Sequence, residues 1–429
     1  MRDLLQNRRG SVAFATVVAL VPLIGFLALG AEAGSWYVTK QHAQNAADAA
    51  AYSGGLTLAC SNAGGTGCNL TQDYIYRGKQ FAAQNAFCNA GDTGYPGTTC
   101  PTLSAGTTQS VAIDQPASDR VRAIVSQTQP AYLAALLGLS AVTIGASAVA
   151  VVEQPKNLCM LGLNSTGTAL TIGGSSAITG NGCGLMSDGS VKYNSTPNFS
   201  GSGWSVSATS GCIASAGHCA ISWPYNYNML PATNPLKILD TESFNARTSP
   251  STKPCGGNVT NGDPPCSLTG NSASGVYSDL RVNSGGTVNF APGTYFFYNA
   301  TITFGGTVSG KDVTLVLLGT SSLTINSGAV VNLSAPAINT FSSDLNGVLI
   351  DDQGNGAVKN NGGSTIALGG TMYFPKADVT WNGNTANANT ACTQVVANTI
   401  TISGNAYMST QNCAPNTIFH TQVVRLVPS

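Results

Sequence analysis

The chain opens with an uninterrupted apolar segment. Residues 11–31 (SVAFATVVALVPLIGFLALGA) contain no charged side chain. A helix rises ~1.5 Å per residue and the hydrocarbon core of a bilayer is ~30 Å thick, so this segment is long enough to span it. Arg2, Arg8 and Arg9 precede the segment, and only Glu32 follows it closely. This bias predicts a cytoplasmic N-terminus, with the remainder of the chain delivered outside the bacterial inner membrane.

A cleaved signal peptide is the alternative to a retained anchor. Ala31-Glu32-Ala33 resembles the small-x-small pattern of a signal-peptidase site. Signal-peptide cores are only ~7–15 residues long, however, and the apolar segment exceeds that length. The pattern therefore favours a retained anchor, with residues 1–34 forming a basic cytoplasmic tail and a single transmembrane helix.

Helical periodicity continues beyond the predicted span. Ala43, Ala46, Ala47 and Ala50 recur at helical spacing, and polar side chains take the other sides. Such a narrow alanine stripe lets another element approach the helix closely. The glycines in Ser53-Gly54-Gly55 are expected to end this helix.

A small mixed module is predicted to follow. Residues 117–152 alternate as a strand does, break at Gln129-Pro130, and alternate again after a short apolar stretch that suits a helix. Gly138 is expected to close that short helix. Residues 35–155 are therefore predicted to form a helix-led α+β module.

From about residue 155 the pattern changes to short apolar segments separated by Gly, Asn and Ser. The unit LTIGGSSAI at 170–178 recurs as LTINSGAVV at 323–331 and as ITISGNAYM at 400–408. Each unit is a short strand, a tight turn and a second strand, which is typical of a stacked solenoid. We predict a right-handed parallel β-helix over residues 156–429. The alternative is a β-sandwich, which needs longer strands with turns every ~8–12 residues.

One long segment interrupts this pattern. Residues 222–265 are rich in Pro, Asn and Thr, which predicts an insertion in the β domain. It could be a loop or lid that binds a ligand. The simpler interpretation is a surface excursion closed by a disulfide between Cys255 and Cys266.

Composition narrows the function classes. The chain has 18 basic and 18 acidic residues, and its net charge of zero gives no electrostatic case for nucleic acid. Only 8% of residues are charged, against ~25% in ordinary soluble domains, so Gly, Asn, Ser and Thr supply the polar surface. With 43% hydrophobic residues the chain can bury a large core, and it is not of a disordered type.

The number and positions of the cysteines are consistent with an exported protein. There are 12, an even number, and none lies in the predicted tail or span. In an exported chain an even set predicts disulfides, and short loops closed in this way gain about 2–4 kcal/mol. Spacing alone leaves the connectivity open. The hypothesis is pairing between sequence neighbours: Cys60 and Cys68, Cys88 and Cys100, Cys159 and Cys183, Cys212 and Cys219, Cys255 and Cys266, Cys392 and Cys413.

No set of residues indicates catalysis, a metal or a cofactor. Cys212, His218 and Cys219 form the best metal-like cluster, but no second pair of ligands supports it. Asp351-Asp352 is the only adjacent acidic pair that a glycan-cleaving groove could use, and neighbours on a strand point to opposite faces. A turn-forming role is the preferred interpretation of this pair. We expect no enzyme activity, no metal and no cofactor.

The N-terminal residues resemble a known module. Arg8-Arg9-Gly10, the apolar span, the acidic step Glu32-Ala33-Gly34, the aromatic pair Trp36-Tyr37 and then QNAADAAA at 44–51 follow in order. This pattern resembles the N-terminal module of TadE/TadG-like proteins of the Tad (Flp) pilus system, where the acidic position is commonly Asp. A further, less specific resemblance to the β tail of some TadG-like proteins lies in GGTMYFP at 369–375 and the pair Cys392 and Cys413.

The resemblance implies a non-catalytic function. It predicts an inner-membrane-tethered accessory or minor pilin-like component of Tad pilus assembly, structural or adhesive, with other Tad pilus-assembly or pilin subunits as partners. The alternative is a cell-surface β-helix that binds or cleaves polysaccharide. For a surface glycan, the aromatic run Tyr295, Phe296, Phe297 and Tyr298 could form a platform, although a strand burying alternate rings is the simpler interpretation.

Overall fold

A computed structural model of the chain shows a long N-terminal helix followed by mostly β structure. It describes residues 8–63, 68–89, 92, 95, 100, 102–173, 177–214, 219, 225–361, 363, 365–382 and 392–428. The chain divides into two compact units. Unit 1 comprises Met1–Gly65, Asn69–Glu153 and Val424–Ser429, and unit 2 comprises Thr66–Cys68 and Gln154–Val423. The division after Glu153 lies beside the predicted boundary at residue 155, whereas residues 424–429, which the prediction placed in the β domain, belong to unit 1.

The described elements are two α-helices, six short 3-10 helices and 31 strands. The α-helices are α1 (Arg8–Asn62) and α2 (Tyr74–Gln84). The 3-10 helices are Ala134–Leu137, Pro235–Thr241, Ser243–Ala246, Pro254–Gly257, Ser343–Leu345 and Pro415–Thr417. The strands are β1 (Thr108–Ala117), β2 (Arg120–Pro130), β3 (Ala141–Val152), β4 (Lys156–Gly162), β5 (Thr168–Ile172), β6 (Ala177–Asn181), β7 (Gly184–Ser187), β8 (Ser190–Tyr193), β9 (Asn198–Ser202), β10 (Val206–Ala208), β11 (Gly211–Ala214), β12 (Tyr225–Tyr227), β13 (Ser251–Thr252), β14 (Asn258–Val259), β15 (Cys266–Leu268), β16 (Val276–Tyr277), β17 (Leu280–Val282), β18 (Thr287–Phe290), β19 (Gly293–Tyr298), β20 (Thr301–Phe304), β21 (Thr307–Gly310), β22 (Val313–Leu318), β23 (Ser322–Ile325), β24 (Val330–Ser334), β25 (Val348–Asp352), β26 (Val358–Asn360), β27 (Thr365–Trp381), β28 (Thr393–Ile402), β29 (Ala406–Ser409), β30 (His420–Thr421) and β31 (Val424–Val427).

Unit 1 is a helix packed on an antiparallel sheet. The strands lie in the order β1-β2-β3-β31, and every pairing is antiparallel. From Arg120 to Val125, buried residues of β2 alternate with more exposed ones, as expected for a sheet with one covered face. The predicted alanine stripe of α1 is confirmed, because Ala43, Ala46, Ala47 and Ala50 are completely buried. The last strand, β31, joins this sheet because it pairs with β3.

Helix α1 ends later than its glycines predicted. It continues through Gly54 and Gly55 to Asn62, so the prediction that these glycines end the helix is wrong. A Cβ at Gly54 would lie 2.8 Å from Cγ1 of Val121, and one at Gly55 would lie 2.8 Å from Cβ of Ala150. The two glycines therefore allow the helix to approach the sheet closely, at a cost in helix propensity of about 1 kcal/mol each.

Unit 2 is a parallel β-solenoid of about 10 turns, as the sequence predicted. Each turn contributes short strands to up to three sheet faces, and strands in successive turns pair in parallel. The recurring sequence units occupy equivalent positions: Leu170 pairs with Ile400, and β23, which carries Leu323, lies on that same face. Ile325 is only 3% exposed within the apolar interior. The repeated strand-turn-strand unit in the sequence therefore predicted the stacked core correctly.

The turns are not stacked in sequence order. On the first face, eleven strands follow one another as β13, β16, β19, β22, β25, β27, β28, β4, β7, β10 and β12. The first strand of unit 2, β4, therefore lies in the middle of the stack, and the strands that follow it along the chain extend the stack to β12 at one end. The chain then crosses to the opposite end, where β13 begins a second series of strands. This series ends with β28, which pairs with β4.

Residues 228–250 make this return, and we call them the strap. Eleven strands spaced ~4.8 Å apart give a stack of about 48 Å, which an extended chain of this length can cover. Contacts of the strap progress along the stack in a single direction. In chain order these contacts are Ala232 with Asp188, Asn234 and Asp240 with Tyr373, Glu242 with Asp344, Phe244 with Phe296, Arg247 with Ser272, and Pro250 with Val276.

The strap corrects the prediction of an insertion over residues 222–265. Its Leu236, Leu239 and Phe244 are buried with the outer side chains of the first face, so this part packs on the solenoid. Residues 251–268 contain β13, β14 and β15, which form the first turn of the second series of strands. A sequence rich in Pro and Asn suits the strap because it must run across the strands without pairing as one of them.

Candidate functional site

The apolar part of α1 is exposed in the structure. Within the described residues, no side chain is fully buried in the most apolar part of α1, which is long enough to cross a membrane. Phe26 is 76% exposed and Leu27 is 68% exposed. Large apolar side chains on a contiguous surface mark an interaction site, and a helix of this length and composition fits a membrane anchor.

Glu32, directly after this apolar segment, fastens a distant loop to α1. Its Oε1 accepts a hydrogen bond from the backbone N–H of Tyr132 at 2.7 Å. Its Oε2 accepts from the N–H groups of Leu133 at 3.0 Å and Ala134 at 2.9 Å. One carboxylate thus satisfies three backbone donors where the 3-10 helix Ala134–Leu137 begins, and such charge-assisted bonds are stronger than neutral ones. Nothing in the sequence indicated this role of Glu32, because its partners lie at least 100 positions away.

The cysteines are disulfide-bonded as sequence neighbours. Five bridges have Cα–Cα distances between 4.6 and 5.9 Å, within the range for unforced disulfides. Cys60 and Cys68 are the other two disulfide-bonded cysteines. The five bridges are Cys88–Cys100, Cys159–Cys183, Cys212–Cys219, Cys255–Cys266 and Cys392–Cys413.

The metal-like cluster does not offer a set of free ligands. Cys212 and Cys219 bond to each other, so neither is a thiolate, and His218 lies outside the described residues. Within the described part of the chain no three His, Cys, Asp or Glu side chains are grouped as a metal would need. His42 lies on α1 and His420 on β30.

The acidic pair is buried on opposite sides of β25. Asp351 is fully buried on the outer side, beside Val316 and Tyr373 in the neighbouring strands and beneath the strap. Its Oδ1 accepts a hydrogen bond from Gln353 Nε2 at 2.7 Å, whereas its Oδ2 has no hydrogen-bond partner. Burial, together with the charges of nearby acidic residues, raises the pKa of Asp351 to about 8. Asp351 is therefore protonated at neutral pH.

Asp352 makes the turn that its sequence context predicted. Its Oδ1 accepts a hydrogen bond from the backbone N–H of Gly354 at 2.9 Å. The side chain lies in register with Leu317, whose side chain belongs to the solenoid interior, and burial raises its pKa to about 7. Lys376 is close enough to oppose this pKa shift electrostatically.

A small polar network joins the strap to the first face. Tyr373 donates its hydroxyl to Asp240 Oδ1 at 2.8 Å and accepts from Asn234 Nδ2 at 3.0 Å. Farther along the stack, Ala232 N–H donates to Asp188 Oδ1 at 2.9 Å. Sequence reasoning missed this network because its partners are more than 40 positions apart along the chain. Its arrangement holds the strap on the sheet.

The aromatic run does not form a sugar platform. Tyr295, Phe296 and Phe297 are completely buried, and Tyr298 is half-buried. Alternate burial was expected, but both sides of β19 are covered, since the strap lies over the outer side. Phe296 packs there against Phe244, with ring centroids 5.7 Å apart. The rings of Tyr295, Phe296 and Phe297 therefore offer no free face on which a sugar could stack.

Comparison with known proteins identifies the N-terminal segment alone. Residues 10–59 match the family described as "Putative Flp pilus-assembly TadE/G-like". This match confirms the resemblance predicted from the sequence. Comparisons with curated proteins and with solved structures gave no match.

Proposed function

We propose that this chain is a membrane-anchored accessory or minor pilin-like component of Tad (Flp) pilus assembly, with a structural or adhesive role. The observation that carries the proposal is the TadE/G-like match over residues 10–59, which includes the whole apolar segment and nearly all of the helix that follows it. The tail bearing Arg2, Arg8 and Arg9 lies in the cytoplasm, and both compact units lie on the far side of the inner membrane. Disulfide bonding supports this placement, since such bonds persist in oxidising compartments.

The proposed role is architectural. Asp351 and Asp352 are buried, so neither is available as an acid or base to a bound polysaccharide. The solenoid instead presents side chains that are mostly uncharged, with 8% charged residues in the whole chain. Its partners in this proposal are the inner membrane and other subunits of the Tad apparatus.

Protease protection tests the anchor and its orientation. In intact spheroplasts carrying the full-length protein, added protease should degrade both units while a tag before Arg8 remains protected. The protein should stay with the membrane fraction after a high-salt wash. A soluble periplasmic form that begins near Gly34 would contradict the anchor.

A second experiment tests the role. Cells in which residues 154–423 are deleted in frame should lose Tad-dependent surface attachment, and the full-length gene should restore it. Purified full-length protein should release no reducing sugar from surface polysaccharides. Polysaccharide cleavage would contradict the architectural proposal.

A further inference from the structure

The loop after β2 carries exposed apolar side chains. Tyr132 is 72% exposed and Leu139 is 50% exposed. No charged residue occurs anywhere between Arg122 and Glu153, a stretch that contains this loop, most of β2 and all of β3. Exposed loops of soluble domains are usually polar, so residues 131–139 are unusual for a solvent-facing loop.

Glu32 fixes this loop at one level along α1. The three hydrogen bonds from Tyr132, Leu133 and Ala134, none longer than 3.0 Å, place the loop backbone against a carboxylate that follows the apolar segment directly. The loop is thus held where residues 11–31 end. If those residues span the bilayer, the loop lies at the edge of its hydrocarbon core.

Aromatic residues on α1 mark the same level. Trp36 and Tyr37 lie about 6–8 Å farther along the helix than Glu32, at ~1.5 Å per residue, and Tyr37 is 67% exposed. Trp and Tyr concentrate at the interface between hydrocarbon and water. Trp36 is half-buried, and the loop adds a second exposed aromatic ring, Tyr132, to this zone.

The opposite end of the sheet lies far from this zone. Val121, near the start of β2, packs against Gly54 of α1, whereas Tyr132, just after β2, contacts Glu32. Glu32 and Gly54 are 22 positions apart along α1, which corresponds to about 33 Å of helix. Of the two ends of the described sheet in unit 1, the loop end is therefore the one that can approach the bilayer beside the span.

We propose that residues 131–139 form a second membrane contact, inserted into the interfacial region of the leaflet from which α1 emerges. The inference rests on the proposed anchor and extends it. A single helix leaves the attached unit free to rotate about the helix axis and to tilt. A second contact, locked to the helix by Glu32, would hold unit 1 in one orientation on the membrane surface.

Spin-label accessibility tests the proposal on the full-length protein. The protein is reconstituted in nanodiscs of phosphatidylethanolamine and phosphatidylglycerol, and single cysteines are labelled with a nitroxide without reductant. Tyr132→Cys is the test position, Leu27→Cys reports the span, and Ser118→Cys reports the far end of the β1–β2 hairpin. Labels in lipid collide more with oxygen, and labels in water collide more with a soluble nickel complex.

The proposal expects lipid-type accessibility at Leu27 and Tyr132 and water-type accessibility at Ser118. Adding Glu32→Gln, which removes an acceptor and the charge, should shift the Tyr132 label toward the water type while Leu27 stays unchanged. Water-type accessibility at Tyr132 with lipid-type at Leu27 would overturn the loop contact and leave the anchor intact. Water-type accessibility at both would overturn the anchor itself. Protection of Tyr132 from both reagents would indicate a protein partner and would overturn the bilayer as the occupant.

Discussion

Replacing the buried acid Asp351 with Asn should remove a large part of the pH dependence of stability. The acid is fully buried beneath the strap, and only one of its oxygens has a hydrogen-bond partner. Asn has nearly the same shape, and its carbonyl oxygen can still accept from Gln353. Asp351→Asn therefore changes the ionisation at this position with little change in packing.

The magnitude follows from the difference in pKa between the folded and unfolded chain. In the folded protein the pKa of Asp351 is about 8, because burial disfavours the carboxylate. In the unfolded chain an Asp has a pKa of about 3.9. Between these values only the folded state holds the proton. The contribution of Asp351 to the free energy of unfolding is therefore complete below about pH 4, and it falls as pH rises, by up to ~1.4 kcal/mol per pH unit. By pH 7 the ionisation of Asp351 has lowered the free energy of unfolding of the parent by at most about 4 kcal/mol. The Asn variant, which cannot ionise at this position, does not show this loss.

The assay is guanidinium unfolding of the full-length protein in detergent, with disulfides intact, at pH 5, 6, 7 and 8. The parent should lose stability across this range, with Asp352 and Asp188 adding to the loss at its acidic end, since their pKa values are raised to about 7 and about 6. Asp351→Asn should match the parent near pH 5 more closely than at pH 8, where it should be clearly more stable. The matched control is Asp312→Asn, because Asp312 lies in a turn with φ of 58°, a conformation that Asn also tolerates. If parent and Asp351→Asn show the same pH profile, the argument from burial is refuted.

Three further predictions address the core, the strap and the disulfides. Ile325→Asp should lower the free energy of unfolding by at least ~3 kcal/mol, because it puts an unpaired charge into the stack, whereas Val330→Asp, at a position 45% exposed in the same turn, should be tolerated in the same unfolding assay. Phe244→Ala should lower the free energy of unfolding by ~3–5 kcal/mol, because this strap residue loses its ring contacts with Phe296 and Phe341. Ile238→Ala, at a strap side chain that is 53% exposed, should lower it by less than ~0.5 kcal/mol. Alkylation of the unreduced protein followed by mass spectrometry should modify none of the 12 cysteines, and bound zinc together with several alkylated cysteines would contradict this.

Local patterns in the sequence were sufficient to predict the elements with short-range causes. The uncharged run at 11–31, the alanine stripe and the repeated strand-turn-strand units each depend on side chains within a few positions of one another. The same holds for the turn at Asp352, whose acceptor and donor lie two residues apart. These features follow from periodicity and turn chemistry alone.

Features that depend on distant residues could not be predicted. Gly54 and Gly55 have the local signature of a helix end, but their actual role is set by Val121 and Ala150 across the helix–sheet contact. Nothing in the sequence around Glu32 indicates which loop it binds. The strap looks like an insertion because its apolar residues are few, and only the fold shows that they are buried against the first face.

The order of the turns offers a physical reason for the strap. In a solenoid each turn is stabilised by its neighbours, so the two terminal turns have the weakest support and expose unpaired strand edges. Here the chain enters and leaves unit 2 side by side in mid-stack, where Lys156 pairs with Thr421. Both ends of the first face, β12 and β13, are therefore internal to the chain and joined by the strap.

This connectivity couples the two ends of the stack. Fraying of β13 would pull on the strap, which packs on the buried ring of Phe296, and detaching the strap would expose the side chains of the first face that Leu236, Leu239 and Phe244 cover. Each end is also close to a short disulfide loop, Cys212–Cys219 near β12 and Cys255–Cys266 near β13. The outermost strands are only two or three residues long, which limits the edge available for pairing with another chain. The strap thus contributes to the stability of both terminal turns, and loosening it, as in Phe244→Ala, should weaken both ends together.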